Sequence, residues 1–370
     1  MKTSLTEMFG IEYPIFAFTH SPKVAAAVTR AGGMGVFGAL SYTPEQLREH
    51  LDWINDNTDG KPYGVDVVMP ASYEGADLSD PDALIEQLET MIPGEYKEFV
   101  ADLLKRNDIP ELPEDADDPR ALLGWTEATA RPQVEIALDY PIALLANALG
   151  PPPKDIVDQA HDKGVRVAAL VGHVDHAKAQ VEVGVDIIVA VGTEAAGHTG
   201  EISTLVLVPQ VVDAVAPTPV LAAGGIGNGR QMAAALALGA AGVWTGSLWL
   251  TVEETDVDPR VVDRLLAATS RDTIRTRAFT GKPARLLKSG WTEAWEDKET
   301  LDPLPMPLQY FLTAEAQHRI FRDADNDLLT FPVGQIVGVM NEVRSTADVI
   351  EAMVKECEET AGALDRTLDS

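Results

Sequence analysis

Pro219-Val-Leu-Ala-Ala-Gly-Gly-Ile-Gly-Asn-Gly229 is an apolar run that breaks at a pair of glycines and passes straight into a helical pattern ending near residue 238. Ala241-Gly-Val-Trp-Thr-Gly-Ser247 then starts a second apolar run with a similar glycine ending. The apolar residues are continuous rather than alternating, which marks strands covered on both faces. A strand–helix–strand unit of this kind places its strands parallel. Just upstream, 186–191 reads as another buried strand, and a glycine-rich loop separates it from a helix over about 205–216.

The same alternation continues toward the N-terminus. Strands are expected over 13–18, 34–40, 63–69, 141–146 and 165–171. Helices are expected over 21–30, over about 154–163 and over 174–183, and another opens at Thr43-Pro-Glu-Gln46 with a cap, a proline in the first turn and an acid after it. Eight strand-then-helix units in about 250 residues are the count of a closed (β/α)8 barrel, the TIM barrel of the α/β class. The runner-up is a doubly wound open sheet. It is weakened by the absence of a G-x-G-x-x-G turn after the first strand, where the chain reads Ala17-Phe-Thr-His-Ser-Pro22.

Two regions depart from the pattern. The segment 70–131 is acidic and proline-rich, with helical pieces over 81–92 and 96–105, and reads as an insertion after strand three. After about residue 250 come a basic loop, Arg275-Thr-Arg-Ala-Phe-Thr-Gly-Lys-Pro283, a proline-rich stretch and further helices. The expected division is a barrel from 1–70 and 131–250, with 71–130 and 251–370 forming a helical cap over its C-terminal face.

The formal net charge of -29 over 370 residues disfavours nucleic acid and anionic membranes as partners. The single cysteine, Cys357, forbids an internal disulfide and reads as a packing residue. The start MKTSLTEMFG lacks a signal peptide's apolar core, and no run approaches the roughly 18 apolar residues of a membrane span. The expectation is a cytoplasmic protein acting on a small molecule, with a homo-oligomer admitted and left open.

In a barrel the chemistry sits at the C-terminal ends of the strands. Glycine-rich turns at helix N-termini aim N–H groups and a positive dipole end at an anion, so the turns after strands seven and eight predict a phosphate site. His198, between Gly197 and Gly200 at the end of strand six, is the candidate acid, base or hydrogen-bond donor. His20 lies in the first strand–helix loop, on the same face, where it could touch a ligand. Asp66, inside strand three, faces either the barrel mouth or a partner in the core. His173 and His176 have a metal-like spacing, but no Asp, Glu or Cys cluster completes a set, so no metal is expected. A solvated face is preferred for Arg275, Arg277, Lys282 and Arg285 over a pyrophosphate contact.

The segments Tyr13-Pro-Ile15, Ala31-Gly-Gly-Met-Gly35, Gly64-Val-Asp66, Gly192-Thr-Glu-Ala-Ala-Gly-His-Thr-Gly200, Ala223-Gly-Gly-Ile226 and Thr245-Gly-Ser247, closed by Pro332-Val-Gly-Gln-Ile-Val-Gly338, resemble the nitronate monooxygenases, formerly called 2-nitropropane dioxygenases. The likeness runs from about residue 10 to about residue 355 and is interrupted over 70–130. It implies FMN in the barrel mouth, with the phosphate against Gly224, Gly225, Gly246 and Ser247. The backbone of Ala17 and Phe18 and that of Gly197 would flank the ring, and Asp66 would lie beside a ring N–H. The family's catalytic histidine maps to His198, and oxygen is the co-substrate.

Some positions depart from that family's pattern. Phe16-Ala-Phe-Thr-His20 stands where Gln-Ala-Pro-Met is usual, Asp66 replaces an asparagine, Val191 replaces a Gln or Asp, and Ala196 replaces a glycine. An aspartate there would accept but not donate a hydrogen bond. The expected activity is FMN-dependent oxidation of alkyl nitronates or nitroalkanes by O2. The alternatives are an NAD(P)H-dependent enoyl-thioester reductase with the same Gly-His-x-Gly motif, and a flavin-free isomerase or aldolase. The absence of a lysine at a strand end tells against an aldolase.

Overall fold

A computed structural model describes residues 1–40, 42–69, 87–113, 127–297, 299–323 and 325–368. Eight parallel strands form a closed barrel: β1 (Ile15–Thr19), β2 (Met34–Gly38), β3 (Gly64–Val68), β4 (Leu144–Ala148), β5 (Arg166–Val171), β6 (Ile187–Val191), β8 (Val220–Ala223) and β9 (Gly242–Thr245). Phe16 opposite Trp244 and Ala17 opposite Thr245 close the ring between β1 and β9. The fold is the (β/α)8 barrel.

The period of two explains the packing. Phe16, Met34, Val36, Leu144, Ala146, Ala168, Ile187, Val189, Leu221 and Trp244 fill the lumen. Their neighbours in sequence, among them Ile15, Ala17, Phe37, Val65, Val67, Leu145, Val167, Ile188, Ala222 and Val243, join the shell between sheet and helices. Both sets are apolar, so the strands read as unbroken runs. Helix Ser4–Phe9 starts with a Thr3/Thr6 capping box and packs Leu5 and Phe9 against the lumen. The Phe9 ring meets Phe16 edge-on at 5.7 Å.

The chain after the barrel divides. Strands β10 (Thr273–Thr276) and β11 (Ala284–Leu287) form an antiparallel hairpin, and a two-residue strand from the barrel's own loop, β7 (Gly197–His198), adds to β11. The stretch expected as a basic loop is therefore largely the body and tip of this hairpin. Helix Leu308–Arg322 packs on helix Gly94–Arg106, whereas the last helix, Thr346–Leu368, lies on the barrel's flank against Gly229–Ala237 and Pro22–Arg30. The expected helix over 81–92 falls partly outside the described residues; Leu88 and Ile92 at its end are buried with Val68, Leu308 and Phe311. Among the described residues no helix is long and apolar enough to cross a membrane.

Candidate active site at the barrel mouth

His198 leaves β6 on a loop too poor in side chains to brace itself, and β11 supplies the brace. Ala284 pairs with His198 and Arg285 with Gly197. The ring nitrogen Nδ1 lies 3.4 Å from the Pro283 carbonyl. A carbonyl only accepts, so Nδ1 carries the hydrogen and Nε2 holds the lone pair of the neutral ring. Burial pushes the imidazole pKa down, the Pro283 carbonyl opposes this, and the nearby Lys282 charge lowers it further. The group is thus a neutral acceptor at neutral pH.

The loop has four further anchors. Arg285 Nε donates to the Thr193 carbonyl at 3.0 Å, and Arg275 Nη2 donates to the Thr199 carbonyl at 3.2 Å. The Glu194 carboxylate accepts from the Thr204 amide at 3.0 Å and its hydroxyl at 2.8 Å, which caps helix Thr204–Val215. The Glu194 carbonyl accepts from the Gln335 amide at 2.9 Å. Pro332-Val-Gly-Gln-Ile-Val-Gly338 therefore docks beside the His198 loop. The preference for a solvated face is corrected for two of the four basic residues. Arg277 and Lys282 are exposed, but Arg285 is 8% exposed and Arg275 is half-buried. Ala284, Leu286 and Leu287 around Arg285 carry a local strand signal, but nothing in it points to the distant His198 loop as the partner.

Across the mouth, β1 to β3 place Phe18, His20 and Asp66. Phe18 stacks on Trp244 with centroids 6.4 Å apart and meets the His20 ring edge-on at 5.1 Å. His20 Nδ1 lies 3.2 Å from the Gly38 carbonyl, and the Tyr42 hydroxyl donates to the His20 carbonyl at 2.7 Å. A Cβ on Gly38 would come 2.8 Å from the His20 ring, so a glycine is needed under it. The ring is open to solvent yet walled by protein, and this lowers its pKa against the raising effect of the Gly38 contact.

Asp66 faces the lumen, because Val65 and Val67 face the helices. It lies between Gly38 on β2 and Ala146 on β4, is 5% exposed, and its Oδ2 has no partner. Burial alone pushes its pKa well above the carboxylate range. Of the two placements left open by the sequence, it takes the mouth-facing one. The raised pKa favours the protonated carboxyl, a form that can donate as well as accept a hydrogen bond.

At the turns after β8 and β9, Gly224 and Gly225 have φ of +92° and +69°, and a Cβ on Gly224 would come 2.9 Å from the Gly192 carbonyl. A Cβ on Gly246 would find only Phe18 at 3.9 Å, so this turn opens onto the mouth. Ser247 Oγ accepts from the Gly334 amide at 2.8 Å and keeps its own hydrogen to give. Ala17 turns its side chain into the helix layer and leaves backbone at the mouth. The helix after β8 does not present a free N-terminus. Gly227 N donates to Gln231 Oε1, Gln231 N to Asn228 Oδ1, and Gly229 N to Glu356 Oε2. The anion site implied by the glycines contracts to the 224–225 and 246–247 turns.

Other candidates fall away from the mouth. His173 Nδ1 caps helix Val174–Glu182 by accepting from the Asp175 amide at 3.2 Å, and its ring is 5.8 Å from His176. Among the described residues no three His, Cys, Asp or Glu side chains converge on one point. Cys357 is buried, and burial followed by the Glu358 charge raises its thiol pKa.

The sequence model of the nitronate monooxygenase family matches residues 2–356. A Mycobacterium tuberculosis protein provisionally named as a monooxygenase is 49% identical over 371 residues, with 98% of each chain covered. A Staphylococcus aureus protein provisionally named as a nitronate monooxygenase is 28% identical over 350 residues, 90% of this chain and 91% of its own. Among solved structures, the nitroalkane oxidase of Streptomyces ansochromogenes is similar with a TM-score of 0.81 at 27% identity, covering 97% of this chain and 99% of that one. FabK of Thermotoga maritima is similar with a TM-score of 0.75 at 27% identity, with 99% of each chain covered.

Proposed function

The chain belongs to the nitronate monooxygenase family and is an oxidoreductase, and on that premise we propose that it oxidises alkyl nitronates and nitroalkanes with O2, in the cytoplasm, using FMN. The observation that carries the reading is the clamped tautomer of His198, which offers an unprotonated Nε2 at the end of a barrel strand.

The mouth suits a flavin. The Gly224–Gly225 and Gly246–Ser247 turns would hold its phosphate, with the Ser247 hydroxyl as a donor. The backbone of Ala17, Phe18 and Gly197 would flank the ring, and the partnerless Oδ2 of Asp66, whose pKa burial raises, would meet its polar edge. Bound there, FMN would supply the two-electron oxidation and the reaction with oxygen.

The protein supplies binding and proton handling. His198 Nε2 accepts the α-proton of a neutral nitroalkane; the C–H pair moves into the nitro group and gives the nitronate. The imidazolium so formed pairs with that anion. A substrate already in the nitronate form needs no such step and meets the same histidine as a hydrogen-bonding partner. His20, with Nδ1 occupied by Gly38, offers a second acceptor to the substrate from the opposite wall.

The reductase alternative is favoured by the likeness to FabK and by exposed Arg277 and Lys282 at the hairpin tip, where a pyrophosphate could dock. Anaerobic reduction separates the readings. The expected result is a yellow protein that releases FMN on heating and is bleached faster by propionate 3-nitronate than by NADPH. Faster bleaching by NADPH reverses the choice, and a colourless protein with no releasable flavin sinks both.

A further inference from the structure

We propose that Arg285 and Arg275 are positioning residues for His198, holding the two ends of its loop by the carbonyls of Thr193 and Thr199. This rests on the reading of His198 as the reacting group. Arg285 is buried, and among the described residues no carboxylate lies within ion-pair distance of it. Its partners are neutral oxygens, the Thr193 carbonyl at 3.0 Å and Thr273 Oγ1 at 3.2 Å. Burial and the Arg275 charge disfavour its cation, and the Glu194 charge offsets this only in part. With hydrogen bonds only to neutral oxygens, that is an expensive way to stabilise a hairpin that an apolar residue would serve as well. A guanidinium can instead bind several oxygens at once in a fixed plane.

Arg275 stands directly across from Arg285 on the neighbouring strand, so the two side chains share one face of the sheet. Its Nη2 reaches the Thr199 carbonyl, while its Nη1 is 3.5 Å from Glu201, a residue turned to solvent. Thr193 and Thr199 bracket the segment that carries His198. That segment includes Gly197, at φ +66°, where a Cβ would touch nothing within 4 Å. It has little packing of its own to hold it. His198 pairs with Ala284 and so projects from the other face of the sheet. The arginines therefore act on the histidine through the backbone rather than by touching its ring or its ligand.

The test compares Arg285→Lys, which keeps the charge and loses the fork, with Arg275→Gln and with a Glu201→Gln control. It reads kcat, KM, flavin content and the titration of the His198 ring protons by NMR. The expected result is a kcat about tenfold lower or worse in both arginine variants, since small misplacements of a reacting group are costly. KM and flavin content hold, and Glu201→Gln behaves as wild type. In Arg285→Lys, where charge is conserved, the loosened loop admits water and the His198 titration moves up toward that of a free imidazole. Unchanged kcat and unchanged titration in both arginine variants overturn the proposal, as does a loss of activity no greater than the loss of folded protein. His198→Gln run alongside judges the underlying reading separately. If it retains turnover, that reading fails, while the NMR titration still decides whether the arginines hold the loop.

Discussion

Replacing Asp66 by asparagine should stabilise the protein, by an amount that grows with pH. The carboxyl is 5% exposed between Gly38 and Ala146, has a partnerless Oδ2, and burial is the whole cause of its raised pKa. Below the ordinary carboxylate range both folded and unfolded chains hold the proton, and the group is silent. Above that range the unfolded chain releases the proton while the folded chain keeps it. Stability then falls by about 1.4 kcal/mol per pH unit until Asp66 itself titrates, and is level beyond that point. An amide of the same shape escapes this loss and keeps both a donor and an acceptor in the mouth. Urea unfolding of wild type and Asp66→Asn at matched cofactor loading, from about pH 4 to about pH 8, measures the difference directly. The two should converge at the acid end and diverge with a slope near 1.4 kcal/mol per unit. A difference that does not change with pH across this range would show that the folded carboxyl titrates at or below its ordinary value. A wild type that gains on the variant as pH rises would show that it is ionised and paired, and either result defeats the argument for a neutral acid.

Three other outcomes follow from the same geometry. His198→Ala should keep its flavin and lose turnover by a factor on the order of 10²–10⁴; unchanged kinetics remove His198 from the mechanism. Because burial lowers the His198 pKa from 6.5, kcat/KM should stay level through neutrality and fall only below the ordinary imidazole range. A decline that begins above it would contradict the buried, neutral ring. Gly224→Ala forces a side chain into φ +92° and against the Gly192 carbonyl. It should cost about 1–3 kcal/mol of stability and weaken FMN binding, read by thermal melts and flavin titration; a variant matching wild type in both rules out the strained turn.

The barrel was readable because its strands are apolar on both faces, so the runs at 186–191 and 219–223 announced buried parallel strands without any knowledge of their partners. Glycines marked the turns for the same local reason. The brace on His198 was not readable. Gly197–His198 is two residues long and carries no period, and its partner Ala284–Leu287 lies far along the chain. Arg285 looks like surface in any local window, since its burial depends on where the distant Thr193 carbonyl is brought. Asp66 shows the same limit: the sequence left its face open, and both its lumen placement and the burial that raises its pKa depend on how β2 and β4 flank it. The glycine turn after β8 suggested an open helix end, and Glu356 from the last helix takes one of its amides.

The brace on His198 also bears on the order in which a nascent chain becomes an enzyme. Once residue 247 has left the ribosome, all eight barrel strands exist, and with them the two glycine turns. The strand that orients His198 ends at Leu287, and the amide that meets the Glu194 carbonyl belongs to Gln335. A partly synthesised chain could thus close its barrel while its histidine loop is still unheld. Reactivity toward substrate and oxygen would be withheld until translation is nearly complete, and a prematurely terminated product would be a barrel without an aligned base.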